Sequence, residues 1–277
     1  MFTHLPPAGH RFPPLVVAAW PYTVCMSQPR TLVSNASAER HYSLLVATDD
    51  DEVRAAQRLR HQVFAGELGA RLNSPVAGLD VDRFDEFCDH LVVRDETTGE
   101  IVGTYRMLPP ERAVAAGGLY SDTEFDLSRL AGLRGGLVET GRSCVHPDHR
   151  TGAVIGLVWA GIARYLLLSG HSYLAGCASV ALADGGTEAA GVWDVVRRKH
   201  FAPAEYAVTP LNPWAVDAVA TPARPVVPPL LRGYLRLGAW VCGRPAHDPD
   251  FGVADFFVLL PLDRVDQRYL KFFLGES

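Results

Sequence analysis

From about residue 41 onward, the pattern of apolar and polar positions resolves the chain into strands and helices in mixed order. Ser43 to Ala47 has the short apolar character of a strand. Val53, Ala56, Leu59, Val63 and Leu68 then recur at helical spacing, which predicts an amphipathic helix from Asp51 to about Leu68. Asp49 is placed to cap it, and Glu52 stands three residues on, where the helix dipole favours negative charge. His90 to Arg94 and Ile101 to Leu108 predict a hairpin that turns near Gly99. Signals are sparse from Glu111 to Gly136, apart from a short ordered insert around Glu124 to Leu127. A central strand follows from about Leu137 to Val145, then a long apolar helix from Ala153 to Ser169 that Gly170 stops. Tyr173 to Val180 reads as a further strand and Glu188 to Lys199 as an amphipathic helix. Past a proline-rich connector come a helix at Leu230 to Leu237 and strands at Trp240 to Gly243 and Val253 to Leu260. This order predicts one mixed α/β domain over residues 41–277, built on a single sheet. Residues 1–40, with Pro6, Pro7, Pro13, Pro14, Pro21 and Pro29, predict a tail without regular structure, and Met26 offers an alternative start.

Composition narrows the function classes. The chain has 277 residues, 48% hydrophobic and 21% charged, as expected of a globular domain with a sizeable core. A net charge of −5 argues against nucleic acid as the main partner. Five cysteines without a C-x-x-C pair give neither a disulfide framework nor a structural zinc site, and point to a reducing cytoplasm. The apolar run Leu15 to Trp20 is too short to span a bilayer, and the longer one at Ala153 to Ser169 is read as a buried helix.

Candidate chemistry gathers where the central strand feeds the apolar helix. The turn after Val145, with Arg150, Thr151, Gly152 and Ala153, places a helix N-terminus and a guanidinium together, an arrangement that suits a phosphate group. Glu139 on the central strand is the candidate for amine recognition or general base, weighed against a paired structural glutamate. Arg142 lies three residues on, so strict alternation separates the two unless a bulge at Thr140-Gly141 restores them to one face. Asp80, Asp82 and Asp85 either bind substrate ammonium groups or lock Arg60 and Arg106 into a charge network. Cys144 beside His146 invites a nucleophile reading, which the lack of an orienting third group disfavours. His146, Asp148 and His149 lack the spacing of a metal site, so no metal is expected. Arg197, Arg198 and Lys199 end a helix as cations and, with Arg150, offer a surface for an acidic carrier protein.

The element order resembles the Gcn5-related N-acyltransferase (GNAT) fold, with its mostly antiparallel central sheet flanked by helices. Arg60-x-x-x-Phe64, the Asp80/Asp82/Asp85 cluster, Arg106, Phe125 and Glu139-x-x-Arg142 look like features of the acyl-homoserine-lactone synthases. The fuller resemblance is to the ornithine N-acyltransferases of ornithine-lipid synthesis, carried by FDEFCDHLVV, VGTYRMLP, TEFDL, ETGRSCVHPDHR, LAGCASV, PPLLRGYLRLGAWVCGRPAHD and FGVADFF. It implies transfer of a 3-hydroxyacyl group to the α-amine of ornithine, giving a lyso-ornithine lipid. By the same resemblance Glu139 and Arg142 are catalytic, and Arg60, Phe64, Asp80, Asp82, Asp85, Arg106 and Phe125 bind substrate. Val145, Arg150, Thr151, Gly152 and Ala153 hold the phosphopantetheine arm. The pyrophosphate loop of the superfamily is only loosely matched by Arg150 to Gly156, which favours acyl carrier protein over coenzyme A as donor. The acyl donor is thus a substrate and no cofactor is expected. A cytoplasmic enzyme in transient peripheral contact with the inner membrane face follows. The alternatives are a coenzyme A-dependent N-acetyltransferase of a small amine and a non-catalytic acyl-binding module.

Overall fold

The computed structural model describes residues 30–36, 41–266 and 268–269. In chain order the strands and helices are β1 (Arg30–Ala36), β2 (His41–Val46), α1 (Asp50–His61), β3 (Asp89–Asp95), β4 (Ile101–Leu108), α2 (Pro110–Ala113), β5 (Phe125–Asp126), β6 (Leu137–Val145) and α3 (Gly152–Ser169). There follow β7 (Tyr173–Ala181), α4 (Thr187–Lys199), β8 (Thr209–Pro210), α5 (Pro229–Arg236), β9 (Trp240–Val241), β10 (Ala246–Asp248) and β11 (Val253–Pro261). Among the described residues they build a nine-stranded sheet in the order β1-β2-β3-β4-β6-β7-β11-β10, with β9 also paired to β11. Every pairing in it is antiparallel except β6 with β7.

Alternation along the strands sorts side chains between two cores. On β11, Phe256, Val258 and Leu260 join one core with α3 residues such as Leu157 and Ile162, while Phe257 and Leu259 join a second core under the 110–137 insert. Glu139 follows Val138 and shares the parity of Leu137, so it belongs to the insert side. Helix α3 is long and apolar enough to cross a membrane by length and composition, yet half of its residues are buried inside the protein. It lies so close to the sheet that a Cβ on Gly161 would come within 2.5 Å of Leu44.

Two sequence expectations need correction. The tail predicted over residues 1–40 contains β1, which pairs antiparallel with β2 and buries Leu32. The prolines stop at Pro29, and the RTLVSNA segment after it is free to join a sheet edge. Met26 and the Leu15 to Trp20 run lie outside the described residues. The helix predicted to Leu68 instead leaves α-geometry at His61 and continues as a π-helical turn, Gln62–Glu67, with Leu68 N donating to Val63 O at 3.0 Å. The five-residue step from Val63 to Leu68 is the i→i+5 hydrogen bond of that wider turn.

Candidate active site

Strands β6 and β7 run side by side only briefly. Leu137, Val138 and Glu139 pair with Tyr173, Leu174 and Ala175; beyond them β6 follows β4 and β7 follows β11. At the fork a Cβ on Gly176 would lie 2.3 Å from Thr140 O, so only glycine lets the two backbones approach this closely before they part. The opening is a cleft of about 790 Å³. Its walls include residues 139–143 of β6, residues 174–179 of β7, residues 67–71 after the π turn, and residues 248–253. Tyr105, Tyr120, Tyr234 and Asp255 also line it.

Glu139 lies at the base of this fork, 5% exposed. Its Oε2 accepts the N–H of Tyr120 at 2.6 Å and its Oε1 that of Ser121 at 2.8 Å. Burial raises its carboxyl above the ordinary glutamate value, against the opposing pull of the Ser121 and Tyr120 donors. A carboxylate oriented by two N–H groups, desolvated, and opening onto a cleft has the attributes of a general base.

The expected bulge is present, two residues further along. Arg106 pairs with Gly141 and Thr104 with Cys144, so Arg142 and Ser143 together oppose Tyr105. Arg142 itself takes the left-handed conformation, φ 51°, the only non-glycine residue to do so among those described. Its guanidinium holds it there: Nε meets Asp80 Oδ2 at 3.1 Å and Nη2 meets Asp82 Oδ2 at 3.2 Å, above the Tyr120 and Phe251 rings. The bulge brings Arg142 into the same cleft as Glu139.

The acidic cluster is closed by arginines. Arg60, fully buried, binds Asp80 through Nε at 2.8 Å and grips both Asp85 oxygens at 2.9 and 2.8 Å. Arg106 Nη1 binds Asp82 at 2.6 Å and Asp85 at 2.9 Å. With Arg142 these form a network of three arginines and three aspartates whose charges cancel. Burial works to raise the Asp85 carboxyl, but Arg60 and Arg106 outweigh it and hold it well below the ordinary range. Of the network, Arg106 and Arg142 reach the cleft wall, whereas Arg60, Asp80, Asp82 and Asp85 stand behind it. Phe64 is in the wall and meets Phe251 edge-on at 5.8 Å. Phe125 is instead buried in the second core against Phe257, away from the cleft.

Val145, Arg150, Thr151, Gly152 and Ala153 lie at the far end of β6 and the start of α3, outside the cleft walls. Thr151 is the N-cap without a side-chain hydrogen bond. The Arg150 fork expected to face a phosphate grips Glu67 with two bonds of 2.7 and 2.6 Å. The helix-end cations are likewise paired, Arg197 with Asp194 at 2.8 Å and Arg198 with the same carboxylate. Burial pushes the Cys144 thiol up to about 12, leaving it a packing residue beside Leu59 and Val63 rather than a nucleophile. His149 bonds Tyr42 and His146 meets Gln62, as parts of the turn.

Sequence reading passed over Asp255, Asp248 and Ser179. The signal available was an aspartate inside the otherwise apolar strand VADFFVLLP. It also missed Tyr105 and Tyr234, whose hydroxyls bond each other at the cleft, because each reads as an ordinary core aromatic.

Residues 59–160 match the acetyltransferase (GNAT) domain family. The chain is 36% identical over 247 residues to an L-ornithine N(alpha)-acyltransferase of Brucella abortus, covering 81% of this chain and 86% of that protein. A protein of the same name from Agrobacterium fabrum is 34% identical over 254 residues, covering 84% and 85%. Among solved structures the N-acyl amino acid synthase FeeM, from uncultured soil microbes, shares the fold at a TM-score of 0.52 and 14% identity, over 82% of this chain and 94% of that one. On the extent of these matches, and with the fork between β6 and β7 in place, the chain belongs to the L-ornithine N(alpha)-acyltransferase family.

Proposed function

We propose that the chain moves a 3-hydroxyfatty acyl group from the phosphopantetheine arm of acyl carrier protein to the α-amino group of ornithine, giving a lyso-ornithine lipid. The observation that carries this reading is the fork: two strand edges freed beyond a buried, oriented glutamate, in a cleft of about 790 Å³. The family supports ornithine as the acceptor.

The reaction needs a neutral amine, a place for the oxyanion and a proton for the leaving thiolate. Glu139 takes the proton of the α-ammonium, directly or through one water. The freed nitrogen pair attacks the thioester carbonyl and forms the C–N bond. The tetrahedral oxyanion is met by edge N–H groups of residues 140–145 that have no partner on β7. Its collapse breaks the C–S bond; the attached nitrogen gives up its second proton to become the amide, and the thiolate takes up a proton. Tyr105 and Tyr234, kept as neutral phenols by burial, stand at the cleft as proton-bearing hydroxyls.

Carrier protein is favoured as donor because Arg150 to Gly156 match the pyrophosphate loop of the superfamily only loosely, and Arg150, engaged by Glu67, is not free to clamp a pyrophosphate. The donor is consumed as a substrate, so no cofactor enters. The product, an amphiphile with one chain, accounts for a cytoplasmic enzyme that touches the inner membrane face transiently. The test is incubation with carrier protein charged with a 3-hydroxyacyl chain and a panel of amino acids, read by mass spectrometry. N-acylornithine as the main product is the expected result. Turnover with acetyl-coenzyme A and indifference to charged carrier would replace this reading with a small-amine acetyltransferase.

A further inference from the structure

The segments PAHD and FGVADFF place two carboxylates, Asp248 and Asp255, in the cleft wall, where the chemistry above leaves them without a task. Asp255 is 2% exposed. Ser179, its cross-strand partner on β7, donates to Oδ1 at 2.5 Å, and no donor among the described residues reaches Oδ2. Asp248 and Asp250 share the wall, and Glu124 stands near enough to feel all three charges. The cation that acts on Asp255 is Arg142, which is committed to Asp80 and Asp82. A buried carboxylate with an unmatched oxygen among like charges is costly unless a cation arrives to complete it.

Geometry says which cation. Glu139 pairs with Ala175 and Asp255 with Ser179, four residues further along β7, and the parity of the strands puts both carboxyls on one face. Along β7 this is about 13 Å, and β6 and β11 flank β7 on opposite sides about 10 Å apart, so the two backbones are about 16 Å apart. An extended diamino acid with three methylenes, plus a hydrogen bond at each end, spans about 12 Å, so the distance is met when the two side chains lean toward each other by about 4 Å in all. Cys177 lies between them and feels both charges.

We propose that Asp255, held by Ser179 and backed by Asp248 and Glu124, binds the side-chain ammonium of the acceptor and so selects a diamino acid of ornithine length. This rests on ornithine being the acceptor.

The test compares ornithine, norvaline (the same skeleton without the second amine), 2,4-diaminobutyrate and lysine as acceptors with charged carrier protein. The wild type is expected to use norvaline on the order of 100-fold less well in kcat/KM, with lysine and diaminobutyrate between. Asp255→Asn should lose that factor on ornithine, mostly in KM, and leave norvaline within about threefold. Ser179→Ala, a milder change, should lower the ornithine-to-norvaline ratio in the same sense and guards against a misfolded Asp255 variant. In the wild type the ratio should also fall as pH drops through about 6, where burial and neighbouring Asp248 have moved the Asp255 carboxyl, opposed by the Ser179 hydroxyl and Arg142. The groups facing it are Asp248 and Asp250, Glu124 and Tyr120 from the insert, Arg142 from β6 and Cys177 from β7. Equal use of ornithine and norvaline by the wild type, equal losses on both in Asp255→Asn, or a ratio flat across about pH 5 to 8 would each overturn the inference and leave acyl transfer standing. No acylation of any amine by the wild type would overturn the proposed function itself.

Discussion

Both carboxyl oxygens of Glu139 accept backbone N–H groups, so Glu139→Gln sets an amide NH2 against a donor from Tyr120 or Ser121. We expect the variant to unfold more easily by about 1–3 kcal/mol. Loss of the base should lower kcat on the order of 100-fold. The two effects separate in the pH profile. With its pKa raised by burial, Glu139 must be ionised to act, so wild-type activity falls as pH falls through that raised value. Measured with norvaline, whose use does not depend on Asp255, this acid limb should vanish in Glu139→Gln; a variant that keeps the limb and loses only stability would reduce Glu139 to an anchor for the insert. At this scale the sequence was partly legible. An acidic residue on a central strand announced Glu139, and helical spacing set Arg60 beside Phe64. Whether Arg60, Asp80 and Asp85 faced a substrate or one another depended on how far apart their elements fold, which local pattern does not encode.

Among the elements, the fork between β6 and β7 governs the cleft. Gly176→Ala drives a methyl into Thr140 O, a backbone atom that cannot swing aside. Donor affinity should drop at least about tenfold, with a thermal transition lowered by several degrees. A wild-type KM for charged carrier would show that the fork is not where the donor enters. The Arg142 bulge yields a second comparison. Arg142→Ala and Arg142→Gly both lose the bonds to Asp80 and Asp82, but only alanine retains the cost of φ 51°. Arg142→Gly should therefore be the more stable of the two by about 1 kcal/mol in denaturant unfolding. The bulge was anticipated from the need to bring two side chains to one face, and its neighbourhood was right. Its register was misread because flexible Gly141 was the obvious host, whereas ion pairs from a distant loop impose the left-handed turn on Arg142.

For the whole molecule, opposing groups of carboxyls shape stability against pH. Asp255 rises from 3.8 to about 6 and Glu124 from 4.5 to about 7, chiefly through burial, and Glu139 rises as well. A raised carboxyl favours the folded state fully below its unfolded pKa, and that contribution is lost as pH climbs through the folded value. Asp82 and Asp85, held low by arginines against burial, act in reverse and lose theirs under more acid conditions. Unfolding free energy should thus decline between about pH 5 and 7, with Asp255 contributing on the order of 1 kcal/mol over that window. Chemical denaturation across that range checks it, and Asp255→Asn should flatten the slope. A slope that rises instead would mean these carboxyls are not buried as described.

The order of the main strands and helices from β2 onward, the α/β class, the central strand with its following helix and the family itself were determined by the sequence alone. They rest on local propensity, hydrophobic period and contiguous motifs, all of which act over a few residues. What only tertiary structure decided is which charges meet. Arg150 turned to Glu67, the aspartates closed on three arginines, and Asp255 came into the cleft four residues beyond the partner of Glu139. Such pairings depend on how strands fork and loops return across the sheet, and a carboxylate's role follows from what stands within a few ångströms of it rather than from its neighbours in the chain.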